Sequence, residues 1–396
     1  MLIFARQGQN MQTQRGRLAL VQVTFFSLTF FGLFLGARSV LLKEISNDFN
    51  ISYTGSGLLF LVSIISVIFS NLFAGKLMAR YGMRFIFTLG VLLMGVFIFL
   101  QSLVSIYLFF LIFAMFVSIF ASGETMGGNA LISKAFQGDG GKTLSRMHIF
   151  YGVGALLSPL LVNLLVSMGL NWREIFRILA ILIILPLFNL SFYRVNEHAT
   201  EYKINIRQLL AAGHQPIARW LAITVMFYVG FEVGISSWLV YSLKDGFAFS
   251  DSTAAIYLGI FFGTLALGRF AGSFIKKGKM DQITIPIAII QFFLLLAGVA
   301  FLPQTAILIS LSGLTAAVFF PVLIYKVGEY CNEQYAGAIT LYLIGTGLGA
   351  TLFPFLMGIL NDIFSIQTGL FIPIVSSFFM FLSLVRVKRI EDLLKI

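Results

Sequence analysis

The chain has 396 residues, of which 59% are apolar and only 11% charged, with a formal charge of +11. A soluble domain of this length needs far more polar surface to cover its core, so that class is excluded. The one cysteine, Cys331, excludes an intramolecular disulfide.

Residues 1–17 read as a cytoplasmic tail, in which 1–10 are dispensable and Met11 is an alternative start. Apolar runs then recur, each of about 20 residues, the length that crosses a hydrocarbon core of about 30 Å at about 1.5 Å per residue. Backbone amides in that solvent must pair within their own segment, so such runs are predicted as helices. The first six lie near 18–42, 55–75, 85–104, 107–133, 146–168 and 175–193. A polar stretch, 194–217, reads as a cytoplasmic loop between two bundles. Six further spans follow near 218–243, 252–274, 282–302, 306–326, 336–360 and 368–385, and 386–396 read as a second cytoplasmic tail. The expected fold is an all-α membrane protein, with twelve transmembrane helices in two six-helix pseudo-symmetric bundles, 18–193 and 218–385.

The charge has an orientation. Of the 27 basic residues, 22 fall on tails and loops of one side, four (Lys43, Arg173, Arg177, Lys244) on the other, and Arg38 within the first span. Basic loops stay cytoplasmic, so both termini are expected inside the cytoplasmic (inner) membrane. The positive balance then reports topology and not a nucleic-acid partner.

The two halves repeat one another. Gly152-x-Gly154-x4-Pro159 recurs as Gly347-x-Gly349-x4-Pro354, Gly32 and Gly36 recur as Gly230 and Gly234, and Gly75-x4-Arg80 recurs as Gly272-x4-Lys277. The offsets are nearly constant and each match falls on the corresponding helix, the pattern of an internal duplication. Small residues let membrane helices approach closely, and a proline within a helix removes an amide bond and can kink it.

The loop after the second span reads Gly75-Lys-Leu77-Met-Ala79-Arg80-Tyr-Gly82-Met-Arg84. It resembles the G-x-L-x-D-R-x-G-R-R signature of the major facilitator superfamily, with Ala79 where an aspartate is usual. Asn171-Trp172-Arg173-Glu174-Ile-Phe176 resembles the superfamily's G-W-R-x-x-F. Glu124-Thr125 followed by Asn129, Tyr228-Val-Gly230-Phe-Glu232 running to Trp238, and His148 with Tyr151, Gly152 and Pro159 are similar to the fucose-permease-like branch of sugar/proton symporters. That branch carries an acid in its first helix, where this chain offers Arg38. The resemblance implies secondary transport by alternating access. It also implies conformational roles for Gly75, Arg80, Gly82 and Arg84. The paired kinks at Gly152 and Pro159 and at Gly349 and Pro354 suit two halves that rock against each other, with ordinary helix packing as the alternative.

Ionisable groups within a span are costly unless paired or hydrated, so each is a candidate for function. Glu232 sits near the middle of the seventh span, with Tyr228 and Ser236 on its face at i−4 and i+4. Burial disfavours the charged form of a carboxylate, which suits a group that takes up and releases a proton. The alternative is a structural hydrogen bond to a neighbouring helix. Glu124 lies in the fourth span among Gly123, Gly127 and Gly128, where a substrate hydroxyl or another backbone can come close. Asn129, five residues on, does not share its face unless the glycines distort the helix. Arg38 either binds a carboxylate or an anionic solute, or snorkels to headgroups. His148 is a proton relay or a loop anchor. The resemblance places Trp238, Tyr241, Tyr325 and Tyr342 on cavity-lining helices, where they can stack on a sugar ring. The alternative is that they face lipid or belong to interface belts, and Trp238 is the one carried forward.

Other chemistries fail. Gly138-Asp-Gly140-Gly141-Lys142-Thr143 ends like a phosphate loop, but Phe136 occupies the first glycine's place and no strand precedes it. His148, His198 and His214 lack metal-ligand spacing. No catalytic set, metal or cofactor is expected, so the chain reads as a transporter and not an enzyme. A transport-dead receptor would need a sensing domain or a long tail. Its expected partners are the lipid bilayer, a small-molecule substrate and protons, with no nucleic acid, and it is expected to act as a monomer. Proton-coupled import of a sugar or other small polar solute is the first reading, and proton-driven efflux of drugs or metabolites is the alternative.

Overall fold

The computed structural model describes residues 2–69, 73, 75–136, 140–192, 206–272, 277–331 and 335–394. Helices α1 (Leu2–Val40), α2 (Leu42–Asp48), α3 (Tyr53–Leu61), α4 (Ile64–Phe69) and α5 (Gly75–Tyr81) come first. They are followed by α6 (Met83–Gln101), α7 (Tyr107–Ala135), α8 (Gly140–Ser167) and α9 (Trp172–Ile184). Next are α10 (Ile206–His214), α11 (Pro216–Gly246), α12 (Asp251–Gly272) and α13 (Lys277–Ala300). Last are α14 (Ala306–Ala316), α15 (Phe319–Tyr330), α16 (Tyr335–Ile363) and α17 (Phe371–Leu394). Among the described residues there is no strand.

Among the described residues, ten stretches of helix are long and apolar enough to cross a membrane. An eleventh candidate is the pair Leu42–Asp48 and Tyr53–Ser66, bent by 116°. The predicted sixth span is α9 continued by a 3₁₀ segment, Leu185–Phe192. Pro186 has no N–H to offer the Leu182 carbonyl, which ends the α-helix there. The two pieces together rise roughly 35 Å, enough for a hydrocarbon core. The predicted span 306–326 is likewise broken between α14 and α15, because Pro321 leaves the Ala317 carbonyl without its helical donor. Residues 386–394, expected as a tail, continue α17, and Glu391 on that extension is fully buried against Lys326 of α15. Residues 194–205 of the expected loop 194–217 and residues 137–139 of the phosphate-loop-like stretch lie outside the described residues.

The chain forms two compact units. The first comprises Met1–Leu35, Phe69–Ser158 and Met168–Lys203. Here α1 and α8 pack backbone against backbone. A Cβ on Gly154 would overlap the Thr29 carbonyl, and one on Gly32 would overlap the Tyr151 carbonyl. Ser158 Oγ donates to the Leu33 carbonyl at 2.7 Å across the same crossing. The Asn171–Phe176 motif has a structural task in this unit. Asn171 and Glu174 form a capping box that starts α9. Arg173 donates to the carbonyls of Ser102 and Val104 at 3.2 and 2.6 Å, tying α9 to the turn after α6. Trp172 and Phe176 pack with Phe34 and Phe110 in one aromatic group.

The second unit comprises Gly36–Ile68, Pro159–Ser167 and Ile204–Ile396. Its crossing of α11 and α16 repeats the α1–α8 contact: Gly349 meets the Met226 carbonyl and Gly345 the Ala222 carbonyl. The C-terminal ends of α11 and α16 meet the start of α3. Lys43 pairs with Asp245 at 2.8 Å, Lys244 with Asp251 at 3.0 Å and also with Glu44, and the Tyr53 hydroxyl donates to Asp245. Asp362 at the end of α16 accepts from the amides of Tyr53 and Thr54 at 2.9 and 2.7 Å. A carboxylate on these first amides satisfies donors that the helix cannot and complements its dipole. Asp362→Ala is expected to cost about 1–2 kcal/mol, seen as a lowered melting temperature in detergent, and Asp362→Asn is expected to cost less.

Candidate functional site

In the first unit the candidate is Glu124 on α7. It is 1% exposed, and neither carboxylate oxygen has a hydrogen-bond partner among the described residues. The Ser27 hydroxyl lies beside it but donates to the Thr24 carbonyl of its own helix at 3.2 Å. The approach that the surrounding glycines allow is made by another backbone. A Cβ on Gly90 of α6 would lie 2.5 Å from the Glu124 amide nitrogen, and one on Gly127 would lie 2.9 Å from Phe87. Helix α7 runs unbroken from Tyr107 to Ala135, so Asn129 is turned about 140° from Glu124. The two are not brought onto one face. The Asn129 Oδ1 is nonetheless buried without a partner among the described residues.

In the second unit Glu232 on α11 meets Arg269 on α12, Oε1 to Nη2 at 3.4 Å. Tyr228 is fully buried, its hydroxyl beside this pair, and Tyr342 on α16 is close enough for its hydroxyl to feel the Glu232 charge. Glu232 therefore has a partner on a neighbouring helix, both an ion pair and a hydrogen bond donated by Arg269, where the sequence set proton coupling or substrate binding against such a hydrogen bond. Ser236, expected on the same face, donates to the Val233 carbonyl. Arg269 is the residue that sequence reasoning missed. By charge alone it falls with the 22 basic residues of the inner side, although it lies inside the predicted span 252–274. A cation within an apolar run, rather than after it, was the signal for an intramembrane partner.

The aromatic expectation changes most. Trp238 is fully buried, stacks on Tyr241 with centroids 5.7 Å apart, meets Tyr53 edge-on, and donates Nε1–H to the Pro354 carbonyl at 2.8 Å. With the ring fully buried and its donor committed to the Pro354 carbonyl, no sugar ring can stack on it in this conformation. Tyr342 is also fully buried, while Tyr325 is 42% exposed. Arg38 is half-buried, with its guanidinium 4.8 Å over the Phe60 ring.

Of the signature residues, Gly82 has φ 88° and caps α6, a conformation only glycine adopts without strain. Arg80 stacks its guanidinium over Tyr81 at 5.3 Å, Arg84 sits in the first turn of α6 and Gly75 begins α5. Pro159 and Pro354 lie within α8 and α16. Gly154 makes the close crossing in α8, and a Cβ on Gly152 would meet nothing within 4 Å. The side chain of His148 lies outside the described residues. Among the described residues no group of three acidic, histidine or cysteine side chains could hold a metal.

The family model described as Major Facilitator Superfamily matches residues 24–309. No curated protein matches the chain by sequence. Solved structures are similar over nearly the whole chain. A bacterial homologue of the human lysosomal transporter Spinster, inward-facing and unoccupied, is 16% identical with a TM-score of 0.72, over 96% of this chain and 98% of its own. The nucleoside transporter NupG is 16% identical with a TM-score of 0.75, over 94% and 99%. The E. coli fucose:proton symporter FucP is 16% identical with a TM-score of 0.63, over 93% and 97%.

Proposed function

The chain belongs to the major facilitator superfamily, and on that premise we propose that it is a secondary active transporter that imports a sugar or another small polar solute by alternating access, coupled to protons. The observation that carries the coupling is Glu124: a carboxylate 1% exposed inside a membrane helix, with no hydrogen-bond partner for either oxygen among the described residues. An ionised carboxylate in that place has nothing to compensate its charge. A proton supplies what the protein does not, so proton binding and release at Glu124 become part of the cycle. The class of solute is supported by the similarity in fold to FucP and NupG, named as a fucose:proton symporter and a nucleoside transporter. The charge asymmetry supports a place in the cytoplasmic membrane with both termini inside.

The test is uptake into proteoliposomes with an acid-outside gradient, screening sugars and organic acids. At least one solute is expected to accumulate, and collapse of the gradient with a protonophore is expected to abolish the accumulation. If nothing accumulates while a preloaded amphiphile is expelled, the proposal fails in favour of efflux.

A further inference from the structure

The Glu232–Arg269 pair is open on one side. Arg269 is 39% exposed and Glu232 18%, while Tyr228 and Tyr342 behind them are fully buried. Glu232 lies near the middle of the membrane-spanning helix Pro216–Gly246, and Arg269 lies in the last turn of its neighbour, Asp251–Gly272. Exposure of a charged pair to hydrocarbon is costly, so the open side is one that water, and a solute, can reach.

The contact itself is loose. Its 3.4 Å separation exceeds the roughly 2.7–2.9 Å of a tight charge-assisted bond. A guanidinium is a planar fork matched to a carboxylate, and its charge is permanent. A carboxylate arriving from the open side meets Arg269 first, because Arg269 is the more exposed partner. A neutral hydroxyl cannot displace an ionised carboxylate from a guanidinium, whereas a second carboxylate can.

We infer that Arg269 is the docking cation for a carboxylate group on the transported solute, which takes the place on the guanidinium that Glu232 holds at 3.4 Å. The substrate class is then a small polar organic acid, such as a sugar acid or hydroxy acid, and not a neutral sugar. Glu232 acts as the internal competitor that keeps the cation compensated between solutes. This rests on the transporter reading above and names the substrate class of its solute.

The test is equilibrium binding to the purified full chain in detergent, read as a shift in melting temperature. The probes are matched pairs: glucuronate and glucose, gluconate and sorbitol, lactate and propane-1,2-diol. At least one acid is expected to stabilise the protein while its neutral mate does not. Arg269→Gln is expected to lose that shift and Arg269→Lys to keep part of it. Glu232→Gln removes the competitor and is expected to tighten binding about fivefold, the worth of a half-exposed ion pair. A merely structural pair would show the opposite sign. Should Arg269→Gln fail to fold, the sign of the Glu232→Gln effect still decides. Equal shifts from the neutral mates, no shift from any acid, or weaker binding by Glu232→Gln would each overturn the inference. Since binding is measured without a gradient, its failure is distinct from a failure of proton coupling.

Discussion

Glu124→Gln is expected to abolish proton-driven accumulation while leaving solute exchange across the membrane intact. Glutamine has nearly the same shape as a protonated glutamate, so the packing of α7 against α6 at Gly90 is preserved. What it lacks is a proton that can leave. With one proton per solute, an inward gradient of one pH unit is worth about 1.4 kcal/mol, or about tenfold accumulation. The variant is expected to stop at a ratio of about one, since an uncoupled carrier equilibrates its solute and no more. Counterflow against preloaded unlabelled solute is expected to persist, because it needs no net proton movement. The measurement is the steady-state ratio of internal to external solute at several imposed gradients. Accumulation that still follows the gradient in Glu124→Gln would remove this residue from the mechanism. Loss of both accumulation and counterflow would place it in solute binding instead.

Gly154→Val is expected to prevent stable folding, and Gly152→Ala to be tolerated. A Cβ at position 154 overlaps the backbone carbonyl of Thr29, and a carbonyl fixed in a helix cannot swing aside as a side chain can. Relief requires α1 and α8 to separate, which also strains the Ser158-to-Leu33 hydrogen bond. Overpacking of this kind costs about 3 kcal/mol or more, a large part of a total stability of about 5–15 kcal/mol. The prediction is a collapse in the yield of monodisperse protein and a sharply lowered melting temperature. Gly152 has open space where the methyl would go, and alanine is the better helix former by about 1 kcal/mol. Its substitution is expected to leave the melting temperature unchanged or raise it slightly. Gly349→Val repeats the test in the second unit, against the Met226 carbonyl. Tolerance of valine at both 154 and 349 would show that these crossings open more easily than backbone contact permits.

The G-x-G repeat was visible in the sequence, but which glycine makes the crossing was not. The same holds at Glu232. Its presence inside a span was legible from hydropathy, yet its partner Arg269 is 37 residues away on another helix. The Asn171–Phe176 motif was legible as a family signature. Its work, capping α9 and holding the turn at Ser102 and Val104, became visible only from the folded unit. Trp238 misled because aromatic content says nothing about whether a ring face is free. In the fold the ring is fully buried, stacked on Tyr241 and edge-on to Tyr53, and its N–H meets the Pro354 carbonyl.

By itself the sequence determined that the chain is helical, where most of the membrane-crossing helices lie, and that the two halves share a repeated pattern of small residues. These follow from local physics, because hydrocarbon forces each apolar run to pair its own amides whatever its neighbours do. Only the tertiary structure decided which faces meet: Glu124 closed in by Gly90, Glu232 placed on Arg269, and Asp362 set on the amides of α3 across 309 residues. Helices that are apolar nearly all round have no polar stripe to mark an inward face. The facing of each one is therefore set by packing with partners that lie far away in the chain.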